Sequence, residues 1–490
     1  MSNEKIIDAR FTRGSTMRHV VVMTGTSTVG LMSLFVVDLA NLFYISLLGE
    51  TELAAAIGFA GTIQFFMISV SIGLAIAATA TVSKAVGRGS REDARRLAAS
   101  SVTILVTVLS LCAFGTFLFR NAALMLLGAE GAALEIASDF LAIVLPALPL
   151  LGIGMVTSGL LRSVGDARRA MFITLFGGIF GAALDPIFIF DWGFGLGVQG
   201  AAIVSVLSRV LVALLGLWFA VGIHDLISRP SLSGLTKDAR PLIAIAAPAV
   251  ATQLSTPFGN AYLISVVSGF GDAAVAGWAV VGRVAALSFG GLFALSGAVG
   301  PIFGQNLGAG LTDRILSTYR DALIFITAYV LSIWAVLFLM TDTIAAGFGL
   351  SGSGLEVLEA FTLFGAAAYL FTGALFVSNS AFNNLGHPTW STIFNWSRDA
   401  LVIPTLAFAI GGSLGATGAV TIQALAGVTV GSVAILWTQR FLRSMRAEDR
   451  AKADAAIPSP VAAAYGSGRG IAVTIGEPEQ EGLEPDGNNR

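Results

Sequence analysis

Two aspartates, Asp38 and Asp185, sit in stretches where almost nothing else is charged: residues 20–49 carry only Asp38, and residues 170–190 only Asp185. An ionised side chain held at mid-bilayer costs roughly 2.5–3.5 kcal/mol on insertion scales, so an acid kept there needs a task. Burial disfavours a charged carboxylate, and a second carboxylate nearby disfavours it further. Such a pair suits reversible capture of a proton or a small cation, taken up under one access condition and released under another. At a helical rise of about 1.5 Å per residue, both acids fall in the half of the membrane nearer the ends of their runs. Ser205 enters from that same side after Gly197 and reaches a similar depth. Asp38, Asp185 and Ser205 are therefore expected to form the coupling site. The bland alternative is that each acid only bonds backbone amides, as Asp185 could before Pro186.

Other polar residues in apolar surroundings are candidates for holding a substrate: Gln253, Asn260, Arg283, Asn379 and Asn383. The amides serve equally well as interhelical glue. Arg398 and Asp399 are adjacent, and neighbours on an α-helix point about 100° apart, so they need not pair. Arg209 lies near enough to a span end to snorkel. Three scattered histidines and the single Cys112 offer no metal centre and no internal disulfide. There is no His-Glu-x-x-His, no nucleophile beside a histidine and no Gly-x-x-x-x-Gly-Lys-Ser/Thr phosphate loop. Neither catalytic residues nor a cofactor are expected, and ion exchange in place of ATP must supply any drive.

The elements that would position these residues follow from composition. The 490 residues are 55% apolar and 12% charged, with mean hydropathy +0.82, whereas soluble domains carry about 25% charged residues. The net charge of −2 leaves no electrostatic footprint for nucleic acid. A bilayer core takes about 20 apolar residues as a helix, and charge-free runs of that length predict twelve spans, six on each side of a polar stretch at 224–240. Lys and Arg crowd the turns on one face, which the retention of basic residues makes cytoplasmic. The expected organisation is a cytoplasmic segment 1–19, a first lobe 20–223, a linker 224–240, a second lobe 241–446 and a disordered tail 447–490. Both termini would be cytoplasmic in a multi-pass inner-membrane monomer whose partners are the bilayer and a small molecule.

The halves repeat each other. Leu48-Gly49-Glu50 answers to Phe270-Gly271-Asp272, Gly87-Arg88-Gly89 to Gly308-Ala309-Gly310, Gly165 to Gly386, and Gly197-Val198-Gln199-Gly200-Ala201 to Gly415-Ala416-Thr417-Gly418-Ala419. Asp38 falls opposite Asn260, and no acid stands near the counterpart of Asp185. An even number of spans per repeat implies two six-helix lobes related by a pseudo-two-fold axis along the membrane normal, with a cavity between them. That all-helical architecture belongs to transporters.

Phe35-Val36-Val37-Asp38, the turn Leu161-Arg162-Ser163-Val164-Gly165-Asp166-Ala167-Arg168, Leu184-Asp185-Pro186-Ile187-Phe188 and Gly304-Gln305-Asn306-Leu307-Gly308-Ala309-Gly310 resemble the multidrug and toxic compound extrusion (MATE) family over roughly residues 15–445. The resemblance implies an alternating-access antiporter that exports amphiphilic, often cationic compounds in exchange for H⁺ or Na⁺, with a first-lobe cation site at Asp38, Asp185 and Ser205. Where many members carry an asparagine before the fifth-span aspartate this chain has Gly181, and where some carry a seventh-span glutamate it has Gln253 and Asn260. Fewer neutral oxygen ligands favour protons over Na⁺. The rival within the same superfamily is a flippase or exporter of a lipid-linked precursor.

Overall fold

Apolar runs of bilayer length leave backbone amides and carbonyls no partner but one another, which makes helix their outcome. The structure, a computed structural model, describes residues 8–46 and 51–456; the side chains of 38–43, 45–46, 51–52, 54 and 452–456 lie outside the description, as do residues 457–490 of the expected tail. Among the described residues there is no strand.

The first lobe comprises α1 (Thr16–Ser46), α2 (Thr51–Gly87), α3 (Arg91–Leu126), α4 (Gly131–Ser163), α5 (Ala167–Ile189) and α6 (Gly197–Ile223). The second comprises α7 (Leu232–Ser268), α8 (Asp272–Gly308), α9 (Thr312–Leu339), α10 (Ser353–Leu385), α11 (388–410) and α12 (Gly418–Ala456). Eleven of these are long and apolar enough to cross a membrane as single helices. The remaining one, α11, is divided by a π-helical turn at Ser397–Val402. The molecule is thus a twelve-span membrane protein of two six-helix lobes. Helix α7 begins inside the stretch expected as linker, and α12 runs ten residues into the expected tail.

Breaks fall where backbone chemistry demands them. The α4–α5 and α10–α11 turns both reverse through a left-handed glycine, Gly165 at φ +82 and Gly386 at φ +94, a conformation that costs other residues a Cβ clash. Pro146 tightens α4 into a 3-10 turn over Leu145–Ala147. The Val144 carbonyl beside that turn accepts a 2.9 Å bond from Arg209, whose other amino group reaches Gln64 Oε1 at 2.7 Å. Arg209 is consequently buried inside the first lobe and does not snorkel.

The lobes meet where α2 crosses α8. A Cβ at Gly87 would strike the Gln305 carbonyl, and one at Gly308 would strike the Lys84 carbonyl. At Gly304 it would strike Ser83 Oγ, and from Gly308 it would stand 3.0 Å from Gly87 Cα. Ser83 with Gly304, and Gly87 with Gly308, are repeat-related pairs touching each other. Residues meet their own counterparts only on a symmetry axis, so the pseudo-two-fold axis passes through this crossing. It lies at the end of the bundle that carries the basic turns.

Candidate functional site

Helices α1 and α5 start together at the basic end and run side by side. Gly30 abuts Thr174, Gly178 faces Val37 with 3.2 Å left for a Cβ, and the Tyr44 and Phe190 rings meet edge to face at 6.1 Å. Helix α6 returns antiparallel: Gly200 lies against the Phe188 carbonyl, Gly181 3.0 Å (from a Cβ) from Ser208 Oγ, and Gly177 against Val212. This register sets Asp185 level with Val204 and Ser205 and puts the Asp38 backbone within about two helical turns of that level. The Asp38 side chain is outside the described residues.

Asp185 is 2% exposed, and its Oδ2 has no hydrogen-bond partner among the described residues. Pro186 follows it and brings no amide hydrogen. One turn nearer the basic end, Ser208 Oγ is likewise buried and unpartnered. Buried polar atoms are nearly always hydrogen-bonded, so two unsatisfied oxygens on facing helices form a place where a proton or cation would gain partners. Ser205 is half-buried on the same side of α6. Sequence reasoning picked Ser205 by depth and missed Ser208, which the glycine at 181 exposes to α5.

The second lobe resolves its acid differently. Asp399, 2% exposed, receives Arg398 Nε at 2.7 Å and Arg398 Nη2 at 3.0 Å, and Ser255 donates to it at 2.8 Å. The two lie in the π turn at Ser397–Val402, and adjacency is no bar to pairing, since Arg320 and Asp321 also pair at 3.5 Å on the α-helical α9. Gly259 of α7 makes the room, a Cβ there standing 3.0 Å from the Asp399 carboxylate.

The remaining candidates do not form one cluster. Asn383 and Asn379 are buried where α10 packs on α11, the first accepting from Ser391 at 3.1 Å and the second keeping an unpartnered Oδ1. Gln253 is half-buried on α7, and Asn260 is exposed two turns on. Arg283 is exposed on α8, next to Gly282, around which nothing lies within 4 Å of a Cβ. Phe66 on α2 and Leu287 on α8, which continue the faces that meet at the axis, are also exposed. The same holds for Gly58 and Gly61, both open to at least 4 Å. The lobes touch from the basic end to mid-helix, where Gly290 of α8 meets Met32 of α1, and beyond that point the described residues of α8 include exposed Arg283.

The seal at the basic end was legible only as a motif. Within Gly304–Gly310, Gln305 is fully buried and bridges the lobes: its Oε1 accepts from Phe11 N at 2.8 Å and its Nε2 donates to the Ser163 carbonyl at 2.7 Å. Arg314 donates to the Phe11 carbonyl at 2.9 Å and to Asn306 Oδ1 at 3.1 Å. Arg96 of α3 meets buried Asp238 of α7 at 3.2 Å, and Ser100 donates to it at 2.9 Å. On α5's first turn, Asp166 is held by Arg169 and by His224 at 2.8 Å. Burial works against its charge, but these hydrogen bonds prevail and keep the carboxyl well below its ordinary range.

The MatE family model matches the chain twice, over residues 27–187 and 248–408. The two stretches are displaced by the same 221 residues at both ends (27 to 248, 187 to 408), a shift that pairs Asp38 with Gly259, one residue from the expected Asn260. The chain is 28% identical to the FAD transporter of Shewanella oneidensis over 397 residues, covering 80% of this chain and 87% of that one. It is 22% identical to the multidrug export protein MepA of Staphylococcus saprophyticus, covering 90% and 97%. Among solved structures it resembles an outward-facing multidrug resistance MATE family transporter with a TM-score of 0.84 at 21% identity, covering 91% of this chain and all of the other.

Proposed function

Because the chain belongs to the MatE family, the multidrug and toxic compound extrusion transporters, we propose that it is a proton-coupled antiporter exporting amphiphilic small molecules across the plasma membrane. The observation that carries this reading is Asp185, a buried carboxylate whose Oδ2 lacks a donor among the described residues. A single unsatisfied oxygen is enough for a proton, whereas Na⁺ requires several. With the basic end in the cytoplasm, a cleft between the lobes past Arg283 opens outward and the seal around Gln305 closes the inside. Protons arriving through the cleft neutralise Asp185, and with it Asp38 one to two turns away. That removes the cost of a buried charge and repacks α1 against α5 and α6 as substrate leaves. Return to the inward-open state delivers the proton to the cytoplasm. Gln253, Asn260 and Arg283 are the side chains we assign to substrate contact.

A second reading concerns the cargo. Arg283 places a cation on the cleft wall, and a relative of similar length is named an FAD transporter, so an aromatic phosphate-bearing anion is the alternative to a cationic drug. Both readings are tested in proteoliposomes with an imposed pH gradient, comparing a fluorescent cationic dye with FAD. Gradient-dependent export that persists in full after Asp185→Asn would sink the coupling mechanism, and Arg283→Gln should depress FAD export selectively if the anion is the cargo.

A further inference from the structure

A cavity of about 780 Å³ opens at the basic end between the chain's first turns, the start of α1 and the α4–α5 turn. It is separate from Asp185 and Asp399. Arg10, Arg18, Arg168 and Arg169 line it, joined by His19 and His224. The one carboxylate in the wall, Asp166, is already spent on Arg169 and His224. Arg10 is turned partly to the Gly165 carbonyl at 3.3 Å. Arg18 and Arg168 are exposed and have no ion-pair partner among the described residues. Both α1 and α5 begin at the rim, Ser15 and Ala167 being lining residues, so the positive ends of two helix dipoles point at the same space. The floor is apolar: Val22, Met23 and Phe172.

Retention of basic residues on one face explains arginines on a surface, yet it does not explain four of them converging on a concavity with an apolar floor. Planar guanidinium forks match phosphate oxygens in pairs. We propose that this cavity is a binding site for a phosphate-bearing anion with an apolar body. Two sources share that chemistry, the headgroup of an acidic phospholipid at the membrane boundary and a soluble phosphate ester. The proposal does not rest on the coupling mechanism at Asp185 and can fail or succeed without it.

The test is thermal unfolding of the purified full-length protein in neutral detergent, titrated with dihexanoyl phosphatidylglycerol, dihexanoyl phosphatidylcholine or inorganic pyrophosphate. Saturable stabilisation by phosphatidylglycerol, with pyrophosphate much weaker, supports the site and assigns it to the bilayer; the reverse order supports the site and assigns it to a soluble ester. Arg18→Gln with Arg168→Gln should raise the half-saturating concentration by at least tenfold, about one charge-assisted hydrogen bond's worth. Neither side chain has a partner to lose among the described residues, so the melting temperature without ligand should hold. Should the double variant not fold, Arg168→Gln alone carries the comparison with a several-fold shift. Arg229→Gln, outside the cavity wall, should leave binding unchanged. Equal stabilisation by phosphatidylcholine, no saturable effect of any probe, unchanged binding in the Arg18/Arg168 variants, or equal weakening by Arg229→Gln would each overturn the proposal.

Discussion

The two lobes share a scaffold and treat a buried acid in opposite ways. In the second lobe Asp399 is neutralised on the spot by Arg398 and Ser255. In the first, Asp185 keeps an oxygen without a partner among the described residues. The 221-residue shift sharpens the contrast, since Gly259, against which Asp399 packs, answers to Asp38, and Asp399 itself answers to Gly178. In each lobe the paired helices, α1 with α5 and α7 with α11, have an acid on one partner where its repeat has glycine. A paired carboxylate fixes its lobe, because opening it would strand a charge. An unpaired one is free to change protonation. On the proposed mechanism, coupling would belong to the first lobe and rigidity to the second.

The largest expected effect is on coupling: Asp185→Asn should reduce pH-gradient-driven export to the leak level, while unfolding stability in detergent holds or rises. A variant neutral at both second-lobe positions, Arg398→Gln with Asp399→Asn, should keep measurable gradient-driven export, and its complete loss would break the division of labour. Next comes stability. Arg398→Gln alone leaves Asp399 buried without its cation and should cost roughly 3–5 kcal/mol, read as a lowered unfolding midpoint, with Asp399→Asn restoring much of it.

A smaller effect concerns the shared seam. Gly308→Val pushes a side chain onto the Lys84 carbonyl and should cost about 1–3 kcal/mol of the sealed state. The reading is faster amide exchange at Phe11 and through Gln305–Gly308. The smallest separates the two turns. Asp166 has a depressed carboxyl and answers to His387 in the repeat. Its contribution is present above the ordinary carboxylate value of about 3.9 and is lost as pH falls below it. Asp166→Asn should flatten the drop in melting temperature between pH 5 and pH 3, and His387→Asn should not.

The spans and the duplication were readable from run length, composition and glycine spacing, and Gly165 and Gly386 stood out as repeat counterparts independently of their left-handed φ. Asp185 stood out for the same reason, as a charge where none belongs. What escaped depends on partners distant in the chain or on helix geometry that a regular α-helical reading misses. Arg209 is captured by Gln64 and Val144, 145 and 65 residues away. Arg398 and Asp399 pair although they are neighbours, because the long guanidinium folds back onto the next side chain inside the π turn at Ser397–Val402. Ser208 gains its place from a glycine on the facing helix, and Gln305 reads as one residue of a motif until Phe11 and Ser163 arrive beside it.

The crossing of α2 and α8 has one more implication. A seam in which each half grips its own image is what two copies of a six-helix chain would build if they were never joined. Residues 224–228 of the connection belong to the first lobe, His224 holding Asp166 and Leu226 being buried, so cutting the gene at 229–230 should yield two polypeptides that find each other in the membrane and reconstitute the transporter.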